Sequence, residues 1–96
     1  MQQAKVHEKA IEAFEKAAHG NERQGSPYHA AKNLERAGEI AAAQSSWDQT
    51  KDFYTRAASA FAEASRSQVA AESLIKCAKL LEAHDAKVRT VLVLPF

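Results

Sequence analysis

The stretch Glu12-Ala-Phe-Glu-Lys-Ala-Ala18 decides the fold, because a variant of it returns forty residues later as Asp52-Phe-Tyr-Thr-Arg-Ala-Ala58. An acid, an aromatic residue, a base and paired alanines recur in one register. A second motif recurs at the same offset, since Ala30-Ala31-x-x-Leu34 lies over Ala70-Ala71-x-x-Leu74. Two helix-like motifs that repeat together predict a helical hairpin that occurs twice, with a period near 40.

This period is longer than the roughly 34 residues of tetratricopeptide repeats (TPRs). The sequence therefore predicts an all-α fold: antiparallel helical-hairpin repeats that form a TPR-like, right-handed solenoid segment of about four helices. We expect residues 1–86 to form two repeats and residues 87–96 to form an apolar tail outside them. Solenoids usually need about three repeats to bury a continuous core. Two exposed stacking faces are therefore expected, as in a segment of something longer or a chain that binds a partner there.

Composition supports this class. Of the 96 residues 21 are Ala, while three are Gly and two are Pro, which excludes an all-β domain and a low-complexity disordered chain. The formal net charge of +1 shows no basic excess of the kind that nucleic-acid binders carry. One cysteine, no membrane-length apolar run and no signal-peptide core predict a cytoplasmic, soluble protein.

Helix boundaries follow from the breaks in the pattern. A break from His19 to Pro27 and two Ser-rich breaks predict helices over 3–19, 27–43, 47–64 and 68–84. Three serines stand where helix N-caps are expected: Ser26, Ser46 and Ser67. Residues 88–96 are rich in β-branched and apolar residues and have no helical periodicity, so this tail is either an aggregation hazard or a cap folded onto the last helix.

Catalytic and metal-binding chemistry is not indicated. The histidines do not have the four-residue spacing of a helical zinc site, and Cys77 lies among apolar residues as an inert thiol would. The pairs Glu8/Glu12 and Glu35/Glu39 are interpreted as solvated helix faces. We therefore expect no catalytic residues, no metal and no cofactor.

Partner binding is the alternative to catalysis. Tyr28 and Trp47 stand at helix starts and are expected to pack against adjacent helices. Lys32 and Arg36 lie four apart on one helical face, which is either a solvated surface or a basic stripe that receives an acidic partner.

Three runs carry a family resemblance: Tyr28-His-Ala-Ala-Lys-Asn-Leu-Glu-Arg-Ala-Gly38, Asp52-Phe-Tyr-Thr-Arg-Ala-Ala58 and Ala70-Ala-Glu-Ser-Leu-Ile-Lys-Cys-Ala-Lys-Leu-Leu81. They resemble the soluble NSF attachment proteins (SNAPs), the gamma type more than the alpha type. The resemblance implies a cytoplasmic adaptor in vesicle-mediated transport that associates peripherally with membranes. Such an adaptor binds SNARE complexes and links them to the NSF ATPase, which disassembles them.

The resemblance also implies which residues bind. A lysine follows the paired alanines in the alpha relatives, and Lys32 matches it, while Glu72 reverses the charge in the next repeat. An arginine four residues before the paired alanines is also a family contact, and Arg66 matches it, while Ser26 does not. Together with Arg36 of the basic stripe, the expected partner-binding residues are Lys32, Arg36 and Arg66.

Other readings remain open at this point. Family members are several times longer, so we expect a truncated chain that is partly or wholly inactive. A general TPR-like scaffold is the alternative, with Lys32, Asn33 and Arg36 as a clamp for an acidic peptide. Two further possibilities are a small helical enzyme and a chain without function, because an open-ended two-repeat solenoid with an apolar tail does not fold stably.

Overall fold

The fold is a stack of four helices joined by short turns. The computed structural model describes the backbone of residues 2–93 and the side chains of residues 5–90. Its elements are α1 (Gln2–Arg23), α2 (Pro27–Ala43), α3 (Trp47–Glu63) and α4 (Ser67–Val93). Each helix packs mainly on its neighbours in sequence, as in a quasi-one-dimensional repeat stack. The prediction of an all-α, four-helix hairpin architecture is confirmed.

The three turns between the helices share one geometry. In each, the second residue after the helix adopts the left-handed conformation, with φ of 74°, 57° and 62° at Gly25, Ser45 and Ser65. The next N–H then reaches back to a carbonyl five residues earlier, and the three pairs are Ser26 to Asn21 (2.8 Å), Ser46 to Ala41 (2.9 Å) and Arg66 to Phe61 (2.8 Å). This is the Schellman motif. Because it recurs every twenty residues, successive hairpins stack with the same geometry.

Two of the three predicted N-caps hold their positions. Ser26 and Ser46 are the N-cap residues of α2 and α3, although neither hydroxyl bonds a helix N–H. The Ser46 hydroxyl instead donates to the Gln49 amide oxygen at 2.8 Å. The prediction for Ser67 is wrong by one residue. Arg66 precedes α4, and its carbonyl accepts the first helical hydrogen bond from the N–H of Ala70.

The predicted helix ends are wrong at α1 and α4. Helix α1 runs through Gly20 to Arg23, because a helical glycine costs only about 1 kcal/mol and the left-handed turn falls at Gly25 instead. Helix α4 continues to Val93 and crosses the expected boundary at 86/87 without a break. β-Branched residues lower helix propensity only slightly, so they did not end the helix. A tail folded back from residue 88 is therefore excluded, while residues 94–96 lie outside the described part.

The core lies between α1, α2 and α3, with a second cluster where α2, α3 and α4 meet. The first cluster contains Ile11, Ala18, Ala30, Leu34, Ala37, Ala41, Phe53 and Ala57. The second contains Ala31, Ala58, Ala60, Phe61 and Ala70, with Tyr28 and Val69 packed against it. The outer helices bury less: Val6 of α1 is 63% exposed, and Leu74 and Ile75 of α4 are 48% and 53% exposed. The inner helices α2 and α3 therefore hold the fold and fix the surfaces around them.

Gly38 is the point of closest approach between α2 and α3. A Cβ atom there would lie 2.9 Å from Cδ2 and Cε2 of the Tyr54 ring and 3.4 Å from Cβ of Phe53. The Tyr54 side chain is itself buried, so its ring cannot move aside without opening the core.

We expect Gly38→Ala to lower the free energy of unfolding by a net of about 1–2 kcal/mol, because the overlap with Tyr54 outweighs the helix-propensity gain. Denaturant unfolding measures this change. Gly20→Ala is the matched control: a Cβ at Gly20 meets nothing within 4 Å, so that variant is expected to gain about 0.5–1 kcal/mol. Equal stabilisation of both variants would contradict the close approach.

Candidate functional site

Helices α2 and α4 run parallel on the same side of α3 and leave a surface between them, which we term the α2/α4 face. The antiparallel hairpins place the N-terminal ends of α2 and α4 together at one end of this face. Its residues from N- to C-terminal end are Tyr28, Lys32, Arg36, Glu39 and Ala43 on α2, and Arg66, Lys76, Lys79, Leu80 and His84 on or before α4.

The three predicted partner-binding residues lie on this face. The guanidinium of Arg66 lies 5.1 Å from the centroid of the Tyr28 ring, and Tyr28 precedes Lys32 by one helical turn. This contact places Arg66 beside the first turn of α2. Lys32 is exposed, and the Arg36 side chain is 68% exposed with Glu39 at 3.8 Å. The structure therefore collects Lys32 and Arg66 at one end and places Arg36 one turn further along α2.

The Tyr28 side chain packs against the second core cluster. Its ring meets the buried Phe61 edge-on, with centroids 5.7 Å apart, so the predicted packing of this aromatic residue is observed. The position of Arg66 thus depends on a chain of contacts that begins in the core.

Lys76 and Glu35 are site residues that sequence reasoning missed. Lys76 lies forty residues after Arg36, so a base recurs at this register in both repeats, a signal that was present in the sequence. Its ammonium lies 3.5 Å from Oε2 of Glu35, and the Ser73 hydroxyl donates to the same oxygen at 2.9 Å. Glu35, expected on a solvated surface, is instead buried, because these two α4 groups satisfy its carboxylate.

Beyond Arg36, the α2/α4 face deepens into an apolar groove. A cavity of about 550 Å³ is lined by Glu39, Ala42, Ala43, Tyr54, Lys76, Lys79 and Leu80. A second of about 400 Å³ adjoins it, since it shares Ala42, Ala43 and Leu80 and adds Ser45, Trp47, Ala83, His84 and Lys87. Burial and the nearby carboxylates of Glu39 and Glu35 raise the pKa of Tyr54 from its usual 10 to about 12, so the groove floor stays uncharged even in moderately alkaline solution.

At the far end of the groove, Trp47 stacks on His84 with ring centroids 4.5 Å apart and an interplanar angle of 29°. Trp47 therefore packs against an adjacent helix, as predicted. Its Nε1 is the one buried side-chain N or O atom among those of residues 5–90 that meets no hydrogen-bond acceptor.

The opposite face, between α1 and α3, is acidic. Glu8, Glu12 and Glu15 line a cavity of about 370 Å³ there. Arg56 of α3 donates to Glu15 at 3.0 Å and lies 3.4 Å from Asp52. Burial lowers the pKa of Arg56, but the hydrogen bonds and charges of Glu15 and Asp52 raise it above its usual value, so these two carboxylates neutralise the Arg56 cation within the chain. The α2/α4 face and the α1/α3 face thus differ in the sign of their charge.

The sequence of this chain is similar to that of a known protein. The chain is 43% identical over 76 residues to the gamma-soluble NSF attachment protein of Arabidopsis thaliana, across 79% of this chain and 26% of that protein. The chain is a gamma-SNAP-like segment. The resemblance predicted from the sequence is confirmed, and the chain spans about a quarter of the length of that curated relative. No protein-family profile matches the chain, and no solved structure does.

The structure of the gamma-SNAP-like segment does not form the predicted peptide clamp. The Asn33 amide donates to Oδ1 of Asn21 in α1 at 2.7 Å, so this side chain is held between α1 and α2. Lys32 and Arg36 lie on the exposed side of α2 instead.

The cysteine of the gamma-SNAP-like segment is buried, as predicted. Burial raises the pKa of the Cys77 thiol, and the nearby Lys51 lowers it only in part. The thiol is therefore protonated and a weak nucleophile at neutral pH. Within the part that the structure describes, no three His, Cys, Asp or Glu side chains are grouped so that they could hold a metal ion, and no helix is long and apolar enough to cross a membrane.

Proposed function

We propose that this segment acts as a SNAP-type adaptor in vesicle-mediated transport, and that its α2/α4 face binds the acidic surface of an assembled SNARE complex. The similarity to a gamma-SNAP carries this proposal. By the same similarity, the bound complex is linked to the NSF ATPase, and the adaptor is cytoplasmic and meets membranes through its partners.

The distribution of charge indicates which face meets the complex. Lys32, Arg36 and Arg66 project from the α2/α4 face, whereas three glutamates line the α1/α3 face. An acidic helical bundle is attracted by the first and repelled by the second. Because Lys32 and Arg36 are exposed, their attraction is screened by salt over roughly 8–10 Å.

An adaptor without catalysis of its own fits the chemistry of this face. The buried Glu35 is engaged by Ser73 and Lys76, and the thiol of Cys77 is held protonated in the core. These groups stabilise the packing of α4 on its neighbours rather than present a base or a nucleophile to a substrate.

The double variant Lys32→Glu, Arg36→Glu is expected to weaken binding to an assembled SNARE four-helix bundle about tenfold or more, because two attractive charges become repulsive. Titration calorimetry or surface plasmon resonance measures the change, and rising salt should weaken the unaltered chain more than the variant. Lys16→Glu is the control, because Lys16 is exposed on α1 and its charge is reversed away from the α2/α4 face. Unchanged binding of the double variant, or an equal loss in the control, would refute the proposal.

A further inference from the structure

The groove beyond the basic residues offers a second kind of contact. We propose that it seats one bulky apolar side chain, of the leucine or phenylalanine class, carried on an acidic helix of the partner. This inference rests on the proposed function, because the basic residues that hold the acidic helix lie on the same face. It adds an apolar subsite to an interface that is otherwise electrostatic.

The walls and floor of the groove are apolar. Ala42 and Ala43 form the α2 wall and Leu80 the α4 wall, with the Tyr54 ring as the floor. A volume of about 550 Å³, continuous with the adjoining 400 Å³, has room for a large side chain to enter from the open side. An apolar side chain that enters the groove removes its own surface and that of the groove from water, and this is favourable in proportion to the area buried.

The rim of the groove is basic, and this sets the chemistry of the occupant. Lys76, Lys79 and Lys87 line it, against the single carboxylate of Glu39. Lys76 is compensated by the buried Glu35, but Lys79 and Lys87 form no ion pair within 4.0 Å among the described side chains. A helix that presents an apolar residue flanked by Glu or Asp matches both the floor and the rim, whereas a basic or neutral helix matches the floor alone.

The groove contains its own reporter. Trp47 is the only tryptophan of the chain and lies at the groove's far end, stacked on His84. A side chain that enters beside Leu80 changes the surroundings of the indole ring, so binding is read as a shift in Trp47 emission.

Two synthetic helical peptides rich in Ala and Glu provide the test, one with a single central Phe and its twin with Ala there. The unaltered chain is expected to bind the Phe peptide about tenfold more tightly and to shift its Trp47 emission only with that peptide. Ala43→Phe fills the groove from an exposed position at the end of α2 and is expected to abolish both the preference and the shift. Ala62→Phe, exposed on α3 and outside both cavities, is expected to keep both.

Each outcome decides a separate claim. Equal affinity for the twins, no detectable binding of the Phe peptide, or an Ala43→Phe variant that keeps the preference would overturn the apolar subsite. The double variant Lys32→Glu, Arg36→Glu is expected to weaken both peptides alike. If it leaves both affinities unchanged while the Phe preference persists, the subsite stands and the basic residues of the proposed function do not.

Discussion

Replacing Phe61 with alanine is expected to lower the free energy of unfolding by about 3–5 kcal/mol, because Phe61 is fully buried where α2, α3 and α4 meet. Its removal leaves a cavity between small neighbours: Ala31, Ala58 and Ala70 cannot extend to fill it. A chain of this length has a total stability of roughly 5–14 kcal/mol, so this one side chain accounts for a large part of it.

Thermal melting followed by the helical circular dichroism signal measures the effect, which should appear as a fall in Tm of about 15–30 °C. Phe14→Ala is the control, since Phe14 is only partly buried at the edge of the first cluster and should cost about 1–2 kcal/mol. Equal shifts for the two variants would mean that burial in the second cluster has no special weight.

The same substitution is expected to disturb the α2/α4 face. The Tyr28 ring rests on Phe61, and Arg66 rests on Tyr28. A double-mutant cycle between Phe61→Ala and Tyr28→Ala should therefore show a coupling of about 0.5–1.5 kcal/mol beyond the sum of the single effects.

The repeat explains why the sequence predicted the inner helices so well. The paired alanines and Leu34 on α2 face a helix on each side, so their apolar pattern has one interpretation, and Ala30, Ala31 and Leu34 are all buried. The sequence marks the turn residues less clearly than the helices. Ser45 and Ser65 occupy left-handed positions that glycine usually takes, so only Gly25 marked the geometry that all three turns share.

The site was predictable in part. Matching Lys32 and Arg66 by their distance from the paired alanines found two residues of the α2/α4 face, but not that Tyr28 joins them. Lys76 could have been found from its register with Arg36. The groove itself could not, because Tyr54, Ala43 and Leu80 come from three helices and meet only after α4 packs on α3.

Glu35 shows the limit of pattern reasoning for charged residues. It stands four residues before Glu39, and this spacing predicts one solvated surface for both carboxylates. Helix α4 covers Glu35 and leaves Glu39 exposed. Ser73 and Lys76, which lie 38 and 41 residues after Glu35 in the chain, contact its carboxylate. Long-range partners of this kind leave no local signal.

Tyr54 gives the second large expected effect, a loss of stability in alkali. Burial, with Glu39 and Glu35 nearby, raises its pKa from the usual 10 to about 12 in the folded chain. The folded chain therefore holds this proton more tightly than the unfolded chain does. The resulting stabilisation is complete below about pH 10 and is lost as the pH rises to about 12, a fall of about 2–3 kcal/mol at 1.36 kcal/mol per unit.

Denaturant unfolding of the unaltered chain and of Tyr54→Phe across this pH range isolates the effect, because every other titrating group is common to both. The stability difference between them should be constant below pH 10 and should then move by about 2–3 kcal/mol in favour of Tyr54→Phe. The Tyr54→Phe chain should also lack the tyrosinate absorbance that rises near pH 12. A stability difference that stays flat up to that pH would mean that the Tyr54 hydroxyl reaches water in the groove. The Tyr54 ring would then pack less tightly against Gly38 than the contact distances indicate.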